Sequence, residues 1–226
     1  MREIVLDTET TGLDPLSGHR IVEVGCIELV NMVATGVTYQ CYFNPERDMP
    51  AGAQDVHGLS EEFLSDKPLF ADKVEELLAF IGDSQLVIHN AQFDLGFLNA
   101  ELERAGRTKI GNAYIDTVSM ARRKFPGQRA SLDALCERFN IDNSSRTKHG
   151  ALLDSELLAE VYLELSGGRQ RVLGLAPEMT GATASGGLAA NNLPVRPARP
   201  HAPSTVELAA HAAFLSQISD PLWLKA

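Results

Sequence analysis

The sequence predicts an α/β fold in which a mixed sheet is covered by helices. Strand-like runs come first, at residues 3 to 12, 20 to 30 and 37 to 43, spaced closely enough for an antiparallel meander. A short apolar run at 86 to 89 then precedes a helical pattern, which is typical of a buried parallel strand. Strands that come first and then alternate with helices indicate a mixed sheet flanked by helices.

The helices are predicted from apolar residues at helical spacing. Over residues 70 to 81 one face carries Phe70, Val74, Leu77, Leu78 and Ile81. Comparable patterns predict helices at 93 to 105, 117 to 124, 131 to 138 and 151 to 166. Gly167 and Gly168 follow the last of these as a stop signal.

The composition changes after Gly168, which predicts one domain at 1–168 followed by a tail. Residues 169–204 are rich in Gly, Ala and Pro and contain no aromatic residue, so we expect a flexible linker. Apolar residues return at 205–226, a segment too short to have a core, and this predicts a peptide that docks on another protein. The alternative is a helix that folds back on its own domain.

The overall charge and the hydropathy limit the class of protein. The net charge is -10, and the acidic excess lies within residues 1 to 168, so binding to nucleic acid would need cations or a partner protein. No apolar run approaches the ~20 residues of a membrane helix, and no secretory segment opens the sequence, so we expect a cytoplasmic protein. Cys26, Cys41 and Cys136 lack metal or redox spacing and are interpreted as small buried hydrophobes.

Two acidic residues on the first strand indicate a metal site. Asp7 and Glu9 are two residues apart, so their carboxylates project from the same face of the strand. The apolar neighbours Ile4, Val5 and Leu6 predict that the strand is buried, where two unpaired anions are costly. A divalent cation between them would remove this cost, although exposed strand ends also carry such pairs.

Three further residues extend this candidate site. Asp94 falls near a helix start, where a favourable interaction with the helix dipole is the alternative explanation. Asp154 lies near the apolar side of its helix, where an uncompensated acid is costly. His149 precedes Asp154 by five positions and can take a proton at neutral pH, so it is a candidate general base. The alternative is a purely structural role, which is more common for a histidine in a loop.

Four such carboxylates, if they converge, suit two Mg²⁺ or Mn²⁺ ions, since hard oxygen donors prefer these metals. Two ions about 4 Å apart fit phosphodiester hydrolysis, in which one activates water and the other stabilises the leaving oxygen. His149 would then act as the base for that water.

A series of segments in fixed order resembles the DnaQ-like DEDDh exonucleases of the ribonuclease H-like superfamily. Within that family the resemblance is greatest to its epsilon branch, the proofreading subunits of bacterial DNA polymerase III. The segments are VLDTETTGLD (5–14), RIVEVG (20–25), VHGLS (56–60), LVIHNAQFDLGFL (86–98), DTVSMAR (116–122), SLDALCERFNID (131–142) and HGALLDSELLAEVYL (149–163). The resemblance implies a ribonuclease H-like, five-stranded mixed sheet and 3′→5′ exonuclease activity.

The resemblance also implies roles for individual residues. Asp7, Glu9, Asp94 and Asp154 would hold the metals, and His149 would be the general base, since Gly150 stands where another branch has a catalytic tyrosine. His57 would contact the phosphate of the terminal nucleotide, and Leu13 would wedge against its base. Asn90 and Phe93 would line the same pocket, so that the substrate-binding set includes Asp7, Glu9, Leu13, His57, Asn90, Phe93 and Asp154.

The tail acquires a meaning from the same resemblance. In epsilon subunits a C-terminal segment tethers the exonuclease to the polymerase alpha subunit, which implies docking residues at Phe214, Leu215, Ile218, Leu222 and Trp223. The segment QRVLGL at 170 to 175 is similar to sliding-clamp-binding peptides, with Gln170, Leu173 and Leu175 as contacts. The implied partners are therefore a DNA 3′ end, the polymerase alpha subunit and the sliding clamp, and no membrane.

Two other functions remain open at this point. Exoribonucleases that trim RNA share the same carboxylates and histidine, and the residues do not reveal recognition of a 2′-hydroxyl. A non-catalytic scaffold that kept the fold is the second alternative. A basic stretch could steer the strand toward His149 or could simply be solvated; it comprises Arg122, Arg123, Lys124, Arg129, Arg138, Arg146 and Lys148.

Overall fold

The computed structural model describes residues 1–144, 146, 148–168 and 202–219. The chain divides into two units, residues 1–175 and 176–226, and each is described by itself. The first unit contains one five-stranded sheet in the order β3-β2-β1-β4-β5. Its strands are β1 (Arg2–Thr10), β2 (Ile21–Val30), β3 (Val33–Tyr42), β4 (Gln85–Ile88) and β5 (Tyr114–Asp116).

The sheet is mixed, as the sequence predicts. β1 pairs antiparallel with β2 and parallel with β4, and β2 pairs antiparallel with β3. The helices of this unit are α1 (Ala51–His57), α2 (Glu61–Leu64), α3 (Phe70–Ile81), α4 (Ala91–Arg104), α5 (Thr117–Lys124), α6 (Leu132–Phe139) and α7 (Ala151–Leu165).

Alternate residues of β1 face two separate cores. Ile4 and Leu6 pack with α3 and α4 on one side of the sheet. Val5 packs on the other side with α5, α6 and α7. All three side chains are fully buried, which confirms the prediction of a central, buried first strand. This arrangement places the end of β1 between α4 and α7.

The sequence prediction is incomplete at the edges of the fold. The third strand begins at Val33 instead of residue 37, because Asn31 and Met32 adopt positive φ and close a two-residue hairpin. Helices α1 and α2 and strand β5 were not predicted from residue patterns, since each spans seven residues or fewer and lacks a periodic apolar face.

The second unit contains one described helix, α8 (Thr205–Leu215). Ser204 caps its N-terminus by accepting a hydrogen bond from the Glu207 backbone, and the Glu207 carboxylate accepts one in return. Most of the predicted linker, residues 169–201, lies outside the described residues. Among the described residues, no helix is both long enough and apolar enough to cross a membrane.

Candidate active site

The carboxylates of Asp7 and Glu9 lie near the end of β1, on the face that α7 covers. Asp7 pairs with Gly25 of β2, and Glu9 pairs with Glu23. Glu9 is buried. Because residues two apart on a strand point the same way, both acids face the same cavity, as the sequence predicts.

Helix α4 brings the third acid to this place. Its N-cap, Asn90, adopts a left-handed conformation, and the Asn90 N–H donates to Asp116 Oδ1 at 3.0 Å, which fixes the turn after β4. Asp94 follows in the first turn and is buried. The hydroxyl of Thr8 donates to Asp94 Oδ1 at 2.8 Å and so orients that carboxylate toward the site.

Helix α7 brings the fourth acid, and its start is fixed against β2. A Cβ atom at Gly25 would lie 2.3 Å from the carbonyl carbon of Ala151, so only glycine permits this approach. The Ala151 N–H donates to Glu23 Oε2 at 3.2 Å, and the Ser155 hydroxyl donates to the Gly25 carbonyl at 3.1 Å. Asp154 is thereby held, buried, next to β1.

The four acids and His149 line one cavity of about 320 Å³. Within the described part of the chain, potential ligand atoms of Glu9, His149 and Asp154 lie within 4.8 Å of one another. The side chains predicted from distant parts of the sequence therefore converge. The alternative explanation of Asp94 as a helix-terminal acid does not account for its place in this cavity.

Burial makes Asp7, Glu9 and Asp94 difficult to ionise, and repulsion from neighbouring acids adds to this at Asp7 and Glu9. Burial, together with the charges of Asp94, Glu9 and Asp154, raises the pKa of Asp7 well above its usual value. Burial and the charges of Asp154 and Glu23 raise the pKa of Glu9 to about 8. Burial raises the pKa of Asp94 to about 7 against the opposing hydrogen bond from Thr8. A site with these properties favours a bound cation.

His149 lies at the rim of this cavity, on the loop before α7. Its side chain is 45% exposed, and Nδ1 lies 3.3 Å from Asp154 Oδ2. The loop is attached to the end of α1, because the His149 N–H donates to the Val56 carbonyl at 3.1 Å and the Lys148 ammonium donates to the Asp55 carbonyl. Two hydrogen bonds to α1 therefore hold the loop at this histidine.

A second cavity, of about 540 Å³, adjoins the first and shares Thr8, Glu9 and Phe93 with it. Leu13 and His57 line this second cavity. Leu13 is 85% exposed, which is unusual for a leucine in a cavity wall. Asn90 lines neither cavity and is exposed at the start of α4, so its substrate role stays a prediction.

The hydrogen bonds of His57 define which ring nitrogen carries its proton. Nδ1 accepts from the Leu59 N–H at 3.0 Å, so the proton of the neutral ring is on Nε2. Nε2 is buried without a hydrogen-bond partner among the residues that the structure describes. Burial, which outweighs a nearby Thr10 carbonyl, lowers the pKa of His57 and keeps the ring neutral. His57 therefore carries a buried N–H donor at a residue that lines the second cavity.

The candidate docking residues of the tail are only partly described. Phe214 and Leu215 end α8, Ile218 follows it, and Phe214 is 60% exposed. Leu222 and Trp223 lie outside the described residues, as do the clamp-binding candidates Gln170, Leu173 and Leu175.

Several side chains that shape the site were not predicted from the sequence. Arg146 contacts Asp154 and His149 directly, although the sequence places it only in a general basic stretch. Glu23 and Thr8 orient α7 and Asp94 through hydrogen bonds that join distant segments. The position of Arg146 three residues before His149 was the one local signal for it.

Three of the other six basic residues of this stretch, Lys124, Arg138 and Lys148, have structural contacts. The Lys124 ammonium donates to the carbonyls of Glu164 and Leu165 at the end of α7, and Arg138 stacks over Phe125. Steering of a nucleic-acid strand would therefore fall to the exposed side chains of Arg122, Arg123 and Arg129.

The chain is similar to known proteins in sequence and in fold. A family model described as Exonuclease matches residues 4–162. The DNA polymerase III subunit epsilon of Rickettsia typhi is 60% identical over 174 residues, which are 75% of this chain and 76% of that protein. The subunit of the same name from Rickettsia felis is 52% identical over 223 residues, or 96% and 97% of the two chains. The nuclease domain of 3'hExo, a DEDDh family member bound to rAMP, has the same fold, with a TM-score of 0.64 at 19% identity over 75% of this chain and 94% of that one.

Proposed function

Because this chain belongs to the exonuclease family and, within it, to the epsilon subunits of DNA polymerase III, we propose that it proofreads DNA through a centre of two divalent ions. The chain is a metal-dependent 3′→5′ exonuclease. One observation supports the location of the centre. Acids from β1, α4 and α7 line a single cavity, where burial and repulsion raise the pKa values of Asp7, Glu9 and Asp94.

The donor set fits Mg²⁺ or Mn²⁺. Asp7, Glu9, Asp94 and Asp154 offer only carboxylate oxygens, which these hard cations prefer, and no cysteine lines the cavity. When bound, such ions lower the pKa of a coordinated water and stabilise the leaving oxygen of a phosphodiester. The carboxylates of this chain would hold them, with Thr8 fixing Asp94 and Glu23 fixing the start of α7.

His149 is the proposed general base. Its ring lies at the open rim of the cavity next to Asp154, where a water molecule attacking a phosphate would be within reach. The exposed fraction of the ring lets it release the proton to solvent after each turnover.

The second cavity is the proposed binding site for the terminal nucleotide. The buried Nε2–H of His57 would donate to a phosphate oxygen, and Phe93 and the exposed Leu13 would pack against the base. Asn90 would contact the nucleotide from the start of α4. This cavity adjoins the carboxylates, so a nucleotide held there would present its phosphodiester to the metal centre.

The partners are proposed from the names of the relatives and from the tail. We expect Phe214, Leu215, Ile218, Leu222 and Trp223 to dock on the polymerase alpha subunit, and Gln170, Leu173 and Leu175 to bind the sliding clamp. Similarity to the Rickettsia felis subunit covers 96% of this chain and so extends into this tail. A replicative assembly acts on chromosomal DNA, so we also propose a cytoplasmic location.

The test compares two substrates and three variants. With Mg²⁺, the full chain should release dNMP from a mismatched DNA primer much faster than NMP from a short RNA. His149→Ala and Asp7→Asn should lose at least about 10²-fold in rate, since each removes a group that acts on the reacting atoms. His211→Ala, an exposed histidine of α8, serves as the matched control and should keep the full rate.

Folding of the variants has to be measured alongside activity. In chelator, Asp7→Asn should melt at or above the temperature of the unchanged protein, because it removes repulsion among buried acids. Faster release from RNA than from DNA would contradict the DNA assignment. Equal rates for His149→Ala and the unchanged protein would contradict the role of the base.

A further inference from the structure

Arg146 occupies the position in which a cation would be expected at the carboxylate centre. Its Nε–H donates to Asp154 Oδ1 and an Nη2–H donates to Asp154 Oδ2, both at 2.6 Å. A third donor, on Nη1, binds Asp133 Oδ1 at 2.8 Å. The side chain is only 8% exposed, and its charge partly opposes the rise in the pKa values of Asp7 and Glu9. Arg146 thus neutralises part of the acidic cluster.

This contact competes with a metal ion at Asp154, since Arg146 binds both of its carboxylate oxygens. A divalent ion bound to a carboxylate lies ~2.1 to 2.5 Å from the oxygen, so the guanidinium nitrogen on the same oxygen would be within about 5 Å of it. Two cations at that separation in a partly buried cavity repel strongly. The ion must therefore displace Arg146 from at least one Asp154 oxygen.

Arg146 also occupies the lone pair of the proposed base. An Nη2–H lies 2.8 Å from His149 Nδ1, and a guanidinium can only donate hydrogen bonds, so Nδ1 is the acceptor. In this arrangement Nδ1 cannot take a proton from water. The same side chain therefore blocks both the metal ligand Asp154 and one nitrogen of the base.

We propose that Arg146 is a displaceable latch on Asp154, and that a metal ion takes its place when it binds there. This inference rests on the proposed function, in which Asp154 binds a metal. The Arg146 N–H donates to the Asn143 carbonyl at 3.0 Å and the His149 N–H to the Val56 carbonyl, so we assign the exchange to the Arg146 side chain. The displaced guanidinium keeps a partner, because Asp133 lies at the rim with 58% of its side chain exposed.

The test measures metal binding directly, without turnover. Titration calorimetry with Mn²⁺ on the full chain should show that Arg146→Gln binds about tenfold more tightly, because the metal no longer competes with an internal cation. Arg107→Gln is the matched control, since it removes the same charge from a side chain that is 50% exposed and pairs with Glu75, outside the carboxylate centre. Its affinity should equal that of the unchanged protein.

Thermal melting supplies a second readout. In chelator, Arg146→Gln should melt below both the unchanged protein and Arg107→Gln, because the acids lose their counter-charge. Saturating Mg²⁺ should close this gap, because the ions then neutralise the acids in every variant.

A third readout follows the latch itself. In ¹⁵N-arginine-labelled protein, one protected Nε–H resonance should be absent from Arg146→Gln and should shift or exchange rapidly with solvent on addition of Mg²⁺. The proposal would be wrong if this resonance is unaffected by Mg²⁺, or if Arg146→Gln binds Mn²⁺ no more tightly than the unchanged protein. Failure of the unchanged protein to bind Mn²⁺ at all would instead refute the metal centre of the proposed function.

Discussion

His57 shows how a single hydrogen bond can define the function of a side chain. Since the Leu59 N–H occupies Nδ1, the neutral ring carries its proton on Nε2, and His57 lines the second cavity. The pKa of the ring is lowered by burial, so near neutral pH it acts as a neutral donor and not as a cation. A buried donor without a partner destabilises the free protein, and a hydrogen bond to a phosphate oxygen of the substrate would remove this cost.

This arrangement leads to a prediction about product binding. His57→Ala should weaken binding of dTMP in the presence of Mg²⁺ on the order of tenfold to a hundredfold, the value of a hydrogen bond to a charged group. His57→Gln can accept from Leu59 and still present an N–H, so it should lose less. Calorimetric titration of dTMP measures both, and equal affinities for the two variants would argue against a donor role for this side chain.

Individual site residues were predictable from the sequence to different degrees. Asp7 and Glu9 could be paired because a two-residue separation fixes their common face on a strand. The environment of Asp154 could be inferred from the apolar residues around it on its helix. The contact of Arg146 with Asp154 could not be predicted, because it depends on the three-dimensional course of a loop and on the direction of one side chain.

At the scale of secondary structure, the approach of α7 to β2 controls the position of Asp154. The backbone of Ala151 lies against Gly25 with no room for a side chain. Two hydrogen bonds, to Glu23 and to the Gly25 carbonyl, fix the first turn of the helix. Any displacement of this turn would move Asp154 relative to Asp7 and Glu9.

Gly25→Ala should therefore lower both stability and metal affinity. The added Cβ meets backbone atoms that cannot rotate away, so we expect a loss of about 2 to 3 kcal/mol in unfolding free energy. Gly96→Ala, within α4, is the matched control, since the added Cβ would have no neighbouring atom within 4 Å outside the helix. We expect its unfolding free energy to rise by roughly 0.5 to 1 kcal/mol. Denaturant unfolding and Mn²⁺ titration check both changes; a Gly25→Ala protein as stable as Gly96→Ala would contradict the close approach.

Periodicity predicted the long helices well and the short elements poorly. Residues 70 to 81 form α3 as predicted, because an amphipathic face repeats over three turns. α1 has no side-chain cap at Pro50 and no apolar stripe, so nothing in its sequence distinguishes it from a loop. Its position is fixed instead by hydrogen bonds to the loop of Lys148 and His149. The sequence of α1 alone contains no sign of these long-range contacts.

For the whole molecule, an acidic exonuclease has to act on a polyanion. The net charge of -10 opposes long-range attraction to DNA, and the carboxylate centre adds to that repulsion at short range. Bound metal ions make the electrostatic potential positive at the site itself, but they do not change the negative potential far from it. A tether to a polymerase that already holds the primer would supply the missing affinity as effective concentration.

Removal of residues 169–226 should therefore separate chemistry from delivery. On a short single strand without other proteins, the truncated and full chains should degrade DNA at the same rate, since the site lies within residues 7 to 154. With the polymerase alpha subunit on a mismatched primer, the full chain should act faster by on the order of 10²-fold, the gain expected from tethering.

Point variants should separate the two proposed functions of the tail, which are binding to the alpha subunit and binding to the clamp. Phe214→Ala with Trp223→Ala should abolish co-purification with the alpha subunit and leave clamp binding intact. Gln170→Ala with Leu173→Ala should do the reverse, so each pair controls for the other. If truncation slows hydrolysis of a free single strand to the same extent as hydrolysis on the polymerase, the tail contributes to the exonuclease domain itself and not to its delivery.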